Sequence, residues 1–534
     1  MNEEIRKAIS NKKIAFYNWK NNGSINDQHN YYLQQKKLTT YELRKQCRLE
    51  IALRRINERQ KLIESKVSDT KTFFRMIRNQ RGKMSKHIDE LNVDGQIYNS
   101  DNQIINGWHI HFEELAKKSV NTKFDHKHLE NVEKEVKVIS DICQERYIHM
   151  QVTNIEVEKA ISSLNKNKAA DIYGITAENI IYGGEDLRAY ICELINMSFK
   201  YCYVPDLLKI GTLFPIFKNK GNIKDAINYR GITVTPTLSK IIEKILKLRE
   251  NVKIIESQNP LQSGFTEDTT PLMCELIIEE FERENKDLKR PTYLAMLDGK
   301  SAFDVVVHAN LIRRLYQIGI SDQYLLMIQN IYHNAATCIK WNGHLSEPFL
   351  VEQGVRQGGA ISADLYKVYV NPLLNLLCET GLGGKIGNIN CCAPTCADDV
   401  AIIATNPLEI QSLVDIAVDF SRREGYLLQP TKSVILPVRT TTKTIETEEG
   451  FWNMDDKPMP VVKTAKHIGI HKSEKNSVLL TVEENIKKAR RTLYSLMGSG
   501  LHGTNGLDPE TILTLVKTYV LPILTYGLEI LIPK

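Results

Sequence analysis

Tyr293-Leu294-Ala295-Met296-Leu297-Asp298-Gly299-Lys300-Ser301-Ala302-Phe303-Asp304 is an apolar run of strand type that ends on a carboxylate and then turns. A hundred residues later, Pro394-Thr395-Cys396-Ala397-Asp398-Asp399 leads directly into a second apolar run, Val400-Ala401-Ile402-Ile403-Ala404. Carboxylates at the mouth of a buried strand need compensation, because removing charge from water costs several kcal/mol unless cations are near. A strand ending in Asp beside a hairpin carrying Asp-Asp can gather three carboxylates around two magnesium ions. Magnesium favours carboxylate, phosphate and water oxygens. Two metals about 4 Å apart can clamp the attacking and leaving oxygens of a phosphoryl transfer. For Asp298 alone, the local context leaves a helix N-cap open as well. The chain holds its own control in Asp455-Asp456, which sits in a polar, proline-bearing turn and reads as a solvated pair.

Outward from these runs, residues 205–475 alternate short apolar segments with helical ones. Strands are expected at 212–217, 293–297 and 400–404, and helices at 239–248, 308–317 and 408–422. Toward the N-terminus, Leu43, Cys47, Ile51, Ile56 and Ile63 predict one long helix over 41–67. Asp69 is placed to cap a short helix carrying Phe73, Phe74, Met76 and Ile77, with Gly82 as its stop. Asp94-Gly95 predicts a turn between short strands within 87–100, and Val157, Ala160, Ile161 and Leu164 predict a helix. Near the C-terminus, Thr481 and Glu484 read as a capping box. The helix they would open carries an apolar stripe of Val482, Ile486, Ala489, Leu493 and Leu496. Asp508-Pro509-Glu510 opens another helix with proline at N1.

The 534 residues suggest about three to four domains, and 42% hydrophobic with 25% charged residues is an ordinary globular balance. No run of 18 or more apolar residues occurs, so no membrane span is expected, and the charged N-terminus is not a secretory signal. The ten cysteines are scattered without paired CxxC spacing, which favours buried thiols in a reducing compartment over a zinc site. Net charge is only +6. Through about residue 90, however, basic residues outnumber acidic ones roughly two to one, which suits a polyanionic partner or a solvated helix face.

LDGKSAFD at 297–304 resembles motif A, and CADDV at 396–400 resembles motif C, of the reverse transcriptases of non-LTR (LINE-type) retrotransposons. Further stretches follow in family order: NKAADIYGI at 167–175, FPIFKNKGNIKDAINYRGIT at 214–233, QSGF at 262–265, QGVRQGGAIS at 353–362 (motif B), EGYLLQPTKS at 424–433 (motif D) and HIGI at 467–470 (motif E). The resemblance covers roughly residues 40–534. It implies an α+β right-hand polymerase of fingers, palm and thumb with a basic, helical N-terminal extension. The expected division is 1–150 for the extension, 151–290 for fingers, 291–475 for palm with fingers segments interleaved, and 476–534 for a thumb that is possibly truncated.

The resemblance also implies roles. Asp298 and Asp398 would be the principal ligands of two Mg2+ ions (Mn2+ as a substitute), with Asp399 completing the site. Phe303 falls where the family places an aromatic gate against a ribose 2′-hydroxyl, and core packing is the competing role. Lys218 and Arg230 would clamp the incoming triphosphate, with Lys220 an alternative to Lys218. Gln357 and Gly358 would let the backbone approach nucleotide and template. Lys432 would be a proton donor to pyrophosphate or a solvated loop lysine. Lys487, Lys488, Arg490 and Arg491 would track phosphates, and the same run resembles a nuclear localisation signal. The implied partners are an RNA template, a DNA primer or target and dNTPs, with no membrane, in the nucleus and/or cytoplasm.

The chain departs from the family at Asp171-Ile172-Tyr173, Gly231, Ala363-Asp364 and Cys396, none of which removes a metal ligand. No endonuclease, cysteine-rich or RNase H region is evident, so a piece of a larger element protein or a truncated copy is expected. Two alternatives remain at this level: an inactive remnant that only binds RNA, and a group II intron maturase or telomerase lineage.

Overall fold

The computed structural model describes residues 2–81, 88–299, 301–439, 448, 450–498, 500–501 and 506–531. The chain divides into two units, His87–Thr481 with Gly527–Lys534, and Met1–Lys86 with Val482–Tyr526.

The larger unit is built on a four-stranded sheet in the order Thr395–Cys396, Asp399–Ala404, Thr292–Leu297, Val434–Val438, with every neighbouring pair antiparallel. Val400 to Ala404 and Leu294, Ala295 and Leu297 are all buried. Such continuous apolar runs arise where both sheet faces are covered. The cover comes from helices including His308–Gln317, Asp322–Tyr332, Ser362–Glu379 and Pro407–Glu424, whose Leu311, Leu325, Leu365, Leu374, Ile410 and Ala417 join one core with Ile402 and Ile435. Each fully buried Leu or Ile side chain contributes about 1.5–3 kcal/mol. Helix Pro407–Glu424 shows its local code plainly. Asn406 accepts from Leu408 N at 2.9 Å, Pro407 fills the first turn where no donor is needed, and Gly425 ends it at φ +79°.

A second sheet runs Tyr229–Val234, Ile210–Phe217, Ala336–Trp341, His344–Leu345, with Phe349–Leu350 also paired to Ala336–Trp341. The strands Ile210–Phe217 and Ala336–Trp341 are parallel. Leu91–Val93 and Gln96–Tyr98 form the expected hairpin, and Trp108 beside them packs on Tyr229 with ring centroids 4.6 Å apart.

In the smaller unit the helix expected over 41–67 runs longer, Tyr31–Ser68. Asp69 caps Thr70–Gln80 through Thr72 N, and the stop assigned to Gly82 lies outside the described residues. Leu62, Phe73 and Ile77 form a core with Leu496, Leu501, Leu507 and Leu515, so segments from opposite ends of the chain share one apolar cluster. Asp508 caps Pro509–Leu515 as its sequence predicts.

Two local expectations are corrected. The capping box at Thr481 and Glu484 does not form, because the helix Ser477–Met497 begins earlier, with Asn476 accepting from Leu479 N at 2.9 Å. Thr481 lies inside it and bonds His471 through both its backbone O (3.0 Å) and N (3.1 Å). Of the expected apolar stripe, Ala489 and Leu496 are buried and Val482, Ile486 and Leu493 partly so, while Thr481, Asn485 and Thr492 are buried beside them. Asn485 tolerates burial because its amide donates to Tyr526 O at 2.9 Å. Asp455-Asp456 does form a turn, between Asn453–Met454 and Lys457–Pro458, but only Asp456 is solvated. Asp455, at φ +53°, is paired with Arg422 and with Lys123 at 3.0 Å. Among the described residues, no helix is long and apolar enough to cross a membrane.

Candidate active site

Asp298 follows the last residue of strand Thr292–Leu297, and Val400 is paired with Leu297 in the antiparallel register. One step further along that register sets Asp399 opposite Asp298. Cys396 pairs with Asp399 across a tight turn of Ala397 and Asp398. The sheet therefore brings all three aspartates to one edge. Asp398 and Asp399 are open to solvent, while the strand behind them is buried.

The turn is held from outside. Ala397 adopts φ +59°, a left-handed conformation that costs a residue with a Cβ. Gln262 stabilises it: Oε1 accepts from Ala397 N at 2.8 Å and from Gly264 N at 2.7 Å, while Nε2 donates to Ala397 O at 3.2 Å. A Cβ on Gly264 would lie 2.1 Å from Ala397 N, so only glycine fits. The QSGF segment thus shapes the aspartate turn, a function its sequence did not disclose.

Asp298 is half-buried and wrapped by residues 428–433. Its Oδ2 accepts from Gln429 Nε2 at 2.8 Å, its N–H donates to Ser433 Oγ at 3.0 Å, and its carbonyl accepts from Gln429 N at 2.9 Å. Lys432 Nζ stands 3.9 Å from Oδ2, with the lysine exposed and the carboxylate half so, a weak contact in water. The N-cap alternative for Asp298 is excluded: the next helix is His308–Gln317, nine residues beyond Gly299 at its start, and the carboxylate bonds a side-chain amide instead.

Lost hydration pushes the Asp298 carboxyl up, and Asp399 adds to this, while Lys432, Lys220 and Lys218 oppose it. Asp398 is also raised: although its surface is open, surrounding protein atoms strip part of its hydration, Asp399 and Asp298 repel its charge, and Arg230 opposes them. Three carboxylates that disfavour one another's charge are what a bound divalent cation would relieve. Among the described residues no group of three or more His, Cys, Asp and Glu side chains is arranged to hold a metal by itself. Magnesium sites of this chemistry are commonly completed by substrate phosphates and water rather than by an all-protein cage.

Basic residues reach the aspartates from the second sheet. Arg230 pairs with Ile216 in the hairpin and is exposed. Lys218 donates from Nζ to Ile227 O at 2.9 Å. Its ammonium is lowered by burial and by Arg230, against the pull of Asp304 and Asp298. Of the two lysines left open by the sequence, Lys220 weighs more on Asp298 than Lys218 does.

Gln357 and Gly358 lie against the same hairpin. Thr233 N donates to Gln357 O at 2.8 Å, and Gly358 sits at φ +131° with its would-be Cβ 2.3 Å from Thr233 O. Gln357 Nε2 donates to Asp304 Oδ1 at 3.0 Å, and burial pushes the Asp304 carboxyl up to about 6. Phe303 stacks on Tyr366 with centroids 4.3 Å apart at 14° and meets Phe265 edge-on at 5.9 Å. The ring is only partly buried, so packing fixes its plane without hiding it.

Residues 218–468 match the reverse transcriptase (RNA-dependent DNA polymerase) family. The chain is 25% identical over 324 residues to a retrovirus-related Pol polyprotein from the type-1 retrotransposable element R2 of Popillia japonica, covering 60% of this chain and 44% of that protein. It is 28% identical over 285 residues to the transposon TX1 149 kDa protein of Xenopus laevis (52% and 21%). It is 23% identical over 265 residues to an RNA-directed DNA polymerase from the mobile element jockey of Drosophila funebris (49% and 28%). Residues 218–468 thus match a reverse transcriptase domain and are similar to the polymerases of non-LTR retrotransposons. The chain spans less than half the length of these relatives. All nine expected site residues fall within the matched stretch, Lys218 at its first position. Sequence reasoning gave no role to Gln262, Gly264, Asp304, Gln429 or Ser433. The signal available for the first two was the QSGF block itself.

Proposed function

We propose that this chain is an RNA-directed DNA polymerase that extends a primer 3′-hydroxyl with dNTPs on an RNA template. The observation that carries the reading is the register setting Asp298 opposite Asp399, with Asp398 on the adjoining turn. Support comes also from the family match over the same residues. The four-stranded sheet would be the palm (291–475), the preceding region (151–290) the fingers, the C-terminal helices (476–534) the thumb, and residues 1–150 the N-terminal extension.

Asp298 and Asp398 would hold two Mg2+ ions, with Asp399 supporting them. Bound ions would lower the pKa of the primer hydroxyl and neutralise charge on the reacting phosphates. Gln429 fixes the Asp298 carboxylate by donating to its Oδ2. Arg230 and Lys218 or Lys220 would receive the triphosphate, Arg230 bidentately. Gly358 lets the loop bearing Gln357 lie against Thr233, and Phe303 would screen the sugar. Lys432 would stand by the leaving pyrophosphate.

The test supplies purified chain with primed RNA, dNTPs and magnesium. Template-dependent extension is expected, with loss of about a thousandfold or more in Asp298→Asn and Asp398→Asn, the scale of removing a principal electrostatic contributor. Salt-sensitive RNA binding without extension would instead identify an inactive binding remnant.

A further inference from the structure

Two thiols face each other behind the aspartate hairpin. Cys378 lies in the last turn of helix Ser362–Glu379, and Cys392 lies in the chain that enters strand Thr395–Cys396. Their Sγ atoms are 3.8 Å apart. Asn390 holds both backbones, its Nδ2 donating to Cys378 O at 3.0 Å and its Oδ1 accepting from Cys392 N at 2.9 Å. Cys392 is further fixed by its carbonyl, which accepts from Ile403 N at 2.9 Å. Cys392 is fully buried, whereas Cys378 is partly open to solvent. The intervening segment turns through Gly381 (φ +68°), Gly383 (φ +85°) and Gly387 (φ +56°), and a Cβ on Gly383 would lie 2.6 Å from Cys392 Cβ.

We propose that Cys378 and Cys392 are an oxidisable pair that a hydroperoxide converts to a disulfide, Cys378 attacking and Cys392 resolving. The Cys378 sulfur attacks a peroxide oxygen, the O–O bond breaks, and the released oxygen leaves as water or alcohol with the Cys378 proton. The sulfenic acid so formed is attacked by the Cys392 sulfur. The S–O bond breaks, and hydroxide leaves as water with the Cys392 proton. Two thiols and one peroxide become one disulfide and, for hydrogen peroxide, two waters.

Access assigns the order, since only Cys378 is reachable from solvent. Electrostatics agrees. The hydrogen bond between the thiols, aided by Asn259, brings Cys378 down to about 7, while Cys392 is raised by the same bond and by burial. The thiolate is the reactive form. The neighbouring Cys391 is buried and pushed up to about 12, which removes it as a competitor. Bond formation brings the two Sγ atoms from 3.8 Å to about 2.05 Å.

This inference does not rest on the polymerase reading. The test treats the reduced full chain with stepwise hydrogen peroxide, alkylates free thiols, and fragments a non-reducing digest to assign sulfurs. Expected is a Cys378–Cys392 link, two hydrogens lighter and reversed by dithiothreitol, with Cys391 and Cys396 alkylated. In Cys392→Ser, Cys378 should instead accumulate as sulfenic acid and take dimedone. In Cys378→Ser, Cys392 should remain a thiol at the same dose. Absence of the link, a link to Cys391, or a Cys392→Ser chain that takes no dimedone at Cys378 overturns the proposal.

Discussion

Glu282→Gln should make the protein more stable at alkaline pH. Lys472 is fully buried and meets Glu275 at 3.1 Å, Glu279 at 2.6 Å and Glu282 at 3.2 Å, all on one face of helix Leu272–Asp287. His467 Nδ1 lies 2.8 Å from Glu275 Oε1. One ammonium cannot satisfy three buried carboxylates, and the strain falls on Glu282. Its lost hydration outweighs the pull of Lys472, Glu279 and Glu275 repel it, and its carboxyl rises from the usual 4.5 to about 7.

A carboxyl raised in the folded state binds its proton more tightly there than in the unfolded chain. Its favourable contribution is present below about pH 4.5 and is lost as pH climbs toward about 7. Shifted by this much, the ionised group costs the fold on the order of 3 kcal/mol at pH 8 and less than half of that at pH 5.5. Glutamine keeps the shape and an oxygen for Lys472 but never ionises. The gain of Glu282→Gln over the parent should therefore be about 3 kcal/mol at pH 8 and less than half of that at pH 5.5. Urea unfolding at both pH values measures the difference. Hydrogen exchange of the amides in 464–473 localises it to the hairpin carrying His467 and Lys472. A variant less stable than its parent at pH 8, or a gain equal at both pH values, would refute the reasoning.

Gly358→Ala places a Cβ against the Thr233 carbonyl at a backbone angle alanine avoids. The strain, about 1–3 kcal/mol, should lower nucleotide kcat/KM by tenfold or more in steady-state extension assays. Phe303→Val removes the ring held flat on Tyr366, and discrimination of dNTP over rNTP, read as a ratio of kcat/KM values, should fall by about tenfold or more. An unchanged ratio would leave Phe303 as a packing residue.

Local pattern carried much of the fold. Asp298 and Asp398-Asp399 bound apolar runs of strand type, and those runs became paired central strands. Helix His308–Gln317 has the limits its periodicity predicts, and Asp69 and Asp508 cap where they were expected. Capping and periodicity work because they act between residues a few positions apart. The ordered motifs added the family, since their spacing along the chain needs no coordinates.

Other features were decided only when distant segments met. Gln262 holds Ala397 across 135 positions, and Gln429 holds Asp298 across 131. Neither glutamine differs locally from a solvated one. Thr481 had the pattern of a cap but bonds strand residue His471, and Asn485 is buried because Tyr526 O accepts its amide. The three aspartates are legible in the sequence as carboxylates beside apolar strands. That Asp399 faces Asp298, and that glutamine amides rather than a helix terminus position them, was set by strand register, because a polar group's partner is chosen by which backbones pair and not by its neighbours in the chain.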